Sequence, residues 1–298
     1  MDVYDVNAKE IEMRATIKKF TDHVDEESLL SKTELWDELQ IFFENAILLK
    51  VNCEILGEAF DLIDKYEEKY DPLFISDKTK NGFERDWETD DDLELERTML
   101  YVQQAIIDGP YQKRLPFGSS VEAPLQNCEE QINGYKWETS NYYPGGVDPP
   151  SDPSVEYTIQ LNATMTEYFG MPVCFDDLPI LRTTGLYLSP GGVATVEVPP
   201  ELIDTDYKVQ VGASTVDNSN KNKHKRNDRI TSKYEIRESI TYVANPLGGG
   251  IYIEVPYLAD LGVVTVKITG DVVEAPIFGK FHYYHFCNCN IKSLLFCH

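Results

Sequence analysis

One run of side chains stands out as able to do binding chemistry. Lys221-Asn-Lys-His-Lys-Arg-Asn-Asp-Arg229 is the densest basic cluster in a chain with 51 Asp and Glu against 27 Lys and Arg. Within it Lys223, Lys225 and Arg226 are candidates for contact with an anionic partner, such as a sialylated or sulfated glycan. The alternative is a long solvated hairpin loop. Four tyrosines, Tyr187, Tyr242, Tyr252 and Tyr257, could stack on sugar rings if they formed one exposed strip, and Tyr252 and Tyr257 join the candidate contacts. Asn162-Ala-Thr164 is an N-glycosylation sequon, which makes Asn162 a candidate acceptor. The last twelve residues hold Cys287, Cys289, Cys297 and His298, with His282 and His285 just before. They could be drawn as a zinc cluster, but Cys287-x-Cys289 is tighter than the usual Cys-x2–4-Cys pair.

Other chemistry finds less support. No Gly-x-Ser-x-Gly elbow is present. Gly248-Gly249-Gly250 is not a phosphate cradle, because a P-loop needs Gly-Lys-Ser/Thr opening a helix. Asp90-Asp91-Asp92 lies just before an expected helix, where carboxylates favour the N-terminal dipole, a better reading than a cation site. The net charge of −24 argues against nucleic acid, whose binding needs a basic surface. Residues 1–100 carry 28 acidic against 12 basic side chains, as expected of a solubilising helical surface. No apolar run approaches the length of a membrane span, and the first residues show no secretory signal. Six cysteines, Cys53, Cys128, Cys174, Cys287, Cys289 and Cys297, do not make a dense disulfide framework. Cys128 and Cys174 could pair in an oxidising compartment, and the sequence leaves the pairing open.

The elements that must position these residues are of two kinds. Met13, Ile17, Phe20 and Val24 fall on one helical face. Leu35, Leu39, Phe42, Ala46 and Leu49 form a second stripe, opened by a Ser31/Glu34 capping box. Ile55, Ala59, Leu62, Tyr66 and Tyr70 form a third, stopped at Asp71-Pro72. Leu95, Met99, Val102 and Ile106 form a fourth, stopped at Asp108-Gly109-Pro110. The spacing predicts a helical bundle over 1–110 with a plain core, since bundle cofactor sites need inward Glu and His pairs and His23 is the region's one histidine. Residues 111–153 carry prolines at 116, 124, 144, 149, 150 and 153 and read as a connector, ordered in part by Trp137, Tyr142 and Tyr143. From 154 to 278 apolar residues alternate with polar ones: Val155 to Leu161, Val196 and Val198, Tyr207 to Val211, Ile251 to Val255, Val264 to Ile268. Turn signals separate them. This pattern predicts an antiparallel β-sandwich, with a short helix over 165–169. The fold class expected is therefore α+β, helical bundle first and sandwich second.

The β region also carries a resemblance. Thr-Gly-Leu-Tyr-Leu-Ser-Pro-Gly-Gly (184–192) with its Val-Glu-Val-Pro strand comes first. Val-Gly-Ala-Ser-Thr, Arg229-Ile and Asn-Pro-Leu-Gly-Gly-Gly-Ile-Tyr-Ile (245–253) follow in that order. Together they resemble the opening of the M60 (enhancin-like) zinc metallopeptidase region, in particular its immunomodulating-metalloprotease branch. The resemblance implies a helical domain ahead of the β module, a zinc catalytic domain after it, mucin-like glycoproteins as substrates, and an exported or cell-surface protein. It implies no catalytic residue here. His-Glu-x-x-His, which sets two imidazoles on zinc and a glutamate on its water, is missing from the 298 residues. His282-Tyr-Tyr-His285 does not replace it. The family pattern breaks after Ala275-Pro-Ile-Phe278, and residues 279–298 read as an atypical tail, from a misread gene boundary or a natural short form. The chain is thus expected to be the N-terminal part of such a peptidase, inactive alone, with no cofactor of its own and zinc in the full-length protein. A non-enzymatic glycan- or protein-binding module is the alternative.

Overall fold

The computed structural model describes residues 3–111, 128–166 and 179–275. The expected helical residues Phe169 and Glu167, Cys174, and the whole tail with its Cys and His residues lie outside these. Met165 and Thr166 are described and not helical.

Four helical elements open the chain: α1 (Val3–Val24), α2 (Lys32–Glu44), α3 (Leu48–Val51) and α4 (Cys53–Tyr70). The capping box at α2 is present, Ser31 accepting from the Glu34 amide and Glu34 from that of Ser31. The second stripe is broken where the sequence reads it as continuous. Asn45 is buried and turns its amide back onto the Ile41 carbonyl at 3.0 Å, and the chain restarts as α3. Asn52 then caps α4, its Oδ1 accepting from the amides of Glu54 and Ile55, which satisfies two donors the helix cannot. Helix α4 ends at Asp71, whose φ of 63° leaves the α region ahead of Pro72.

A short strand β1 (Phe83–Glu84) precedes α5 (Glu94–Asp108). The Asp90-Asp91-Asp92 run does something other than cap α5, whose N-cap Leu93 makes no side-chain cap bond. Instead Asp91 pairs at 2.6 Å with fully buried Arg97, which also donates to the Glu84 carbonyl and Thr89. A buried guanidinium needs such partners.

The connector contains α6 (Glu129–Ile132) and a 3-10 turn over Glu138–Asn141. Cys128, whose pairing the sequence left open, pairs with Cys53 rather than Cys174, with Cα atoms 5.2 Å apart. The fold sets the entry to α4 beside the start of α6, a proximity that spacing along the chain does not reveal.

Ten strands follow: β2 (Tyr157–Thr164), β3 (Ile180–Leu188), β4 (Val193–Glu197), β5 (Lys208–Val211), β6 (Lys223–His224), β7 (Ser232–Glu235), β8 (Ile240–Ala244), β9 (Gly249–Val255), β10 (Asp260–Gly270) and β11 (Val272–Glu274). Two antiparallel sheets form, of order β2-β10-β4-β8 and β11-β3-β9-β5-β7. The alternating residues Val196, Val209, Val211, Ile251, Ile253, Val255, Val266 and Ile268 are essentially fully buried. Each such side chain contributes roughly 1.5–3 kcal/mol by leaving water. Hydrogen bonds cross between the sheets, Tyr207 Oη to the Ala163 carbonyl and Tyr234 Oη to that of Ala244, both at 2.6 Å. The fold is α+β, helices first and sandwich second. Its buried apolar residues form one continuous cluster from Met13 to Val272.

Candidate functional site

Two of the residues singled out in the sequence, Lys225 and Arg226, lie where the helices, the connector and the sandwich converge. The glycine turns of the resemblance build this junction. Gly191 has φ 74°, and a Cβ there would lie 2.6 Å from the Tyr135 carbonyl. The turn can therefore receive the connector only as glycine. Gly134 N donates to the Gly191 carbonyl and Trp137 N to that of Pro246. Trp137 is fully buried, and Tyr135 stacks on Phe60 of α4 with centroids 3.6 Å apart.

The basic loop is not a free hairpin. Strand β6 pairs with β1, Phe83 opposite His224 and Glu84 opposite Lys223, so the loop is drawn onto the helical region. His224, Asn227 and Asp228 are buried. Arg85 donates two-pronged hydrogen bonds to Asp228 at 3.1–3.2 Å, and His224 Nδ1 lies 3.5 Å from the same carboxylate. Burial alone would raise the Asp228 carboxyl. The hydrogen bonds from His224 and Arg85, with the charge of Arg85, outweigh it and hold the group below its usual range. Arg229 bridges Asp108 at the end of α5 and Asp217, and its own amide donates to Gln104 at 3.1 Å. The Asp108 hydrogen bond, stronger than the opposing desolvation, raises the Arg229 guanidinium further. Asn227 donates to Gln103, and Gln103 in turn to Glu67 of α4.

The other half of the loop points outward. Lys223 and Lys225 are exposed and Arg226 half-buried. Arg226 lies 4.7 Å over the Tyr143 ring and donates to its hydroxyl at 2.8 Å. Among the described residues none of these three cations has a carboxylate partner. Lys225 and Arg226 border an open pocket shared with Phe74, Thr139, Tyr142 and Tyr143.

The tyrosines do not form one strip. Tyr187 and Tyr252, on neighbouring strands β3 and β9, lie half-buried on one face of the five-stranded sheet, and Tyr187 donates to the Gly145 carbonyl of the connector. Burial, then Tyr252 and Tyr143, push the Tyr187 hydroxyl up to about 12. Tyr242 lies on β8 of the other sheet, and Tyr257, half-buried, packs against the core beyond β9. Of the residues named in the sequence, Lys225 and Arg226 are thus brought together with a pocket, while Lys223, Tyr252 and Tyr257 lie apart from it. The sequence marks Tyr142 as ordering the connector but not as a pocket residue, and Thr139 carries no signal in a stretch dominated by proline and glycine. Asn162 is exposed on edge strand β2, its Oδ1 accepting from the Thr164 amide at 3.0 Å.

Among the described residues no three His, Cys, Asp or Glu side chains come together as a metal site, and no helix is long and apolar enough to cross a membrane.

Fold and junction define a class, a helical region pinned to an antiparallel two-sheet accessory module. Residues 153–269 match the family described as "N-terminal domain of M60-like peptidases". Two TRPM8 channel-associated factor homologs are similar. The Danio rerio protein is 32% identical over 96 residues, 32% of this chain and 10% of its own length. The Xenopus laevis protein is 32% identical over 99 residues, 33% of this chain and 11% of its own. The chain therefore spans about a tenth of the length of these curated relatives. Among solved structures, the IMPa metallopeptidase from Pseudomonas aeruginosa superposes on 73% of this chain and 23% of its own, at 16% identity and a TM-score of 0.35. IMPa has also been solved in complex with an O-glycopeptide.

Proposed function

We propose that this chain supplies the accessory module of an M60-like zinc metallopeptidase directed at glycoproteins of the mucin type. The module holds a glycosylated chain while zinc chemistry is carried out by a His-Glu-x-x-His domain that these 298 residues do not contain. The observation that carries the reading is the match of residues 153–269 to the M60-like N-terminal domain, together with the two-sheet fold that those residues build. By this reading the chain does not hydrolyse peptide bonds alone, and its partners are glycoproteins or mucin-type glycans outside the cell or at its surface.

The test has two arms. Sequencing full-length transcripts should find a reading frame in which these strands are followed by His-Glu-x-x-His. Transcripts that never encode one would defeat the peptidase reading. Retention of the full chain on immobilised mucin O-glycopeptides supports the glycan side, and no retention below about millimolar concentration counts against it.

A second reading, a glycan- or protein-binding module without any peptidase, is favoured by one observation. Three cations, Lys223, Lys225 and Arg226, are without carboxylate partners among the described residues of an acidic chain. It would stand if glycopeptides bound and no transcript carried the zinc motif.

A further inference from the structure

We infer that Asn162 carries an N-linked glycan, and that this glycan covers the unpaired edge of the four-stranded sheet. The inference needs neither the peptidase nor the glycan-binding role proposed above. It shares with that reading only passage through the secretory route.

Three observations converge on the residue. The first is chemistry. Asn162-Ala-Thr164 is the chain's single Asn-x-Ser/Thr triplet. Attachment joins Asn162 Nδ2 to C1 of an N-acetylglucosamine. The donor is an oligosaccharide on a lipid pyrophosphate: its C1–O bond breaks, the pyrophosphate leaves with the lipid, and the proton lost from Nδ2 passes to the transferase or solvent. The folded chain must then leave that nitrogen outward. Asn162 is exposed, and among the described residues its amide makes one hydrogen bond, Oδ1 accepting from the Thr164 amide at 3.0 Å. A sugar on Nδ2 leaves that bond intact. The buried asparagines differ. Asn45, Asn227 and Asn245 each commit Nδ2 inside the fold, to Glu12, Gln103 and the Ile230 carbonyl, and none stands in such a triplet.

The second is compartment. Cys53 and Cys128 form a disulfide across 75 positions. Such bonds form and persist in oxidising compartments, and the secretory route that supplies one also supplies the transferase.

The third is place. Strand β2 is an edge, paired among the described residues with β10 alone. It is the longest outer strand of the two larger sheets, eight residues against five in β8, four in β7 and three in β11. Strand edges are templates for pairing with other chains, usually guarded by charge, proline or shortness. Tyr157–Thr164 has neither a charge nor a proline. Asn162 lies directly opposite Val263, which is 68% exposed, and cross-strand partners share a face. A glycan rooted there is bulky and hydrated. It covers the apolar Val263 and blocks approach to the edge.

The test is peptide mass spectrometry of the protein isolated from its source, with the full chain secreted from insect cells supplying the variants. Digestion with PNGase F in heavy-oxygen water should lower the intact mass and convert Asn162 to an aspartate carrying the heavy label. Asn162→Gln changes an exposed side chain, so Tm should hold and the mass should no longer respond to the enzyme. Thr164→Ser keeps a hydroxyl in the triplet and should keep the glycan. Light scattering then reads the edge. At equal concentration the Asn162→Gln chain should self-associate several-fold more than the glycosylated one. Adding Gln160→Lys, a charge on the same strand, should reverse this. An unmodified Asn162 in the protein from its source overturns the site. A glycosylated chain whose Asn162→Gln variant stays equally monomeric overturns the covering role.

Discussion

Two attachments hold the helices to the sandwich, and they work by different physics. The connector is an apolar and covalent attachment: buried Trp137, the Phe60–Tyr135 stack and the Cys53–Cys128 disulfide. The basic loop is an ionic one, through Arg85–Asp228 and Arg229–Asp108. The first is indifferent to salt and to moderate pH. The second puts Asp228 and Arg229 into structure and leaves Lys223 and Lys225 outward. The difference teaches that a basic run in an acidic protein need not have a single purpose. Cations that face carboxylates on the helices serve the fold, and only those that do not are available to a ligand.

The largest effect is expected from breaking the apolar attachment. Trp137→Ala removes a fully buried side chain and should cost roughly 3–5 kcal/mol, read as a lowered urea midpoint. The Cys53→Ser/Cys128→Ser double variant follows. Its bridge spans 75 positions, and removal of such a constraint costs about 2–4 kcal/mol, mainly by freeing the unfolded chain. An unchanged midpoint in the double variant would show that the connector is held by packing alone.

Breaking the ionic attachment should cost less. Asp228→Asn leaves Arg85 without its carboxylate, but the Arg85 side chain is 26% exposed, so water relieves part of the loss. The expected destabilisation is about 2 kcal/mol, and 0.5 M salt should change it far more than it changes the Trp137→Ala deficit.

These attachments differ in how far they could be seen in the sequence. The stripes of α1, α4 and α5 and the alternation of β9 and β10 were legible because periodicity is local, and those residues are buried as the pattern requires, Tyr70 and Leu95 only partly. The break at Asn45 was not, because a side-chain amide competing for one carbonyl leaves no mark on a hydrophobic stripe. The Cys53 partner and the carboxylates facing Arg229 were not legible either. Arg229 meets Asp108 from 121 positions away, and only the assembled fold decides which of many acidic residues comes near. Of the candidate site, the outward cations were legible as a cluster. Their neighbour Thr139 was hidden in a connector without periodicity, and Tyr142 showed only as an aromatic that could order it.

The pH profile sharpens the comparison with a smaller effect. Asp228, held below the ordinary 3.8, binds fewer protons folded than unfolded near pH 4. Its contribution is therefore present above that pH and is lost as pH falls through the depressed value. Glu67 has the opposite sign. Burial first, then Asp64 and Glu138, push its carboxyl from 4.5 up to about 8. Between those values the unfolded chain has released this proton and the folded one has kept it, so stability falls as pH rises from about 4.5 to 8. Glu67→Gln should flatten that alkaline slope and leave the acid limb unchanged, as measured by Tm across pH 3–9. An unaltered slope would place its origin in another group.

The smallest stability effect is the one that most separates the two halves of the loop. Lys223→Gln and Lys225→Gln remove exposed charges without a carboxylate partner among the described residues. Surface changes of this kind stay within about 0.5 kcal/mol. In a chain of net charge −24, any favourable long-range attraction that they lose is screened beyond about 10 Å at 0.1 M salt. Arg229→Gln, only six positions beyond Lys223, should cost clearly more, because it strips Asp108 and Asp217 of their cation at once. Comparing the three midpoints under identical buffer decides the matter. If Lys225→Gln proved as damaging as Arg229→Gln, Lys225 would have a structural partner and the pocket would lose one of its cations. If all three were neutral, the Arg229 pair would contribute nothing and the ionic attachment would rest on Arg85–Asp228 alone.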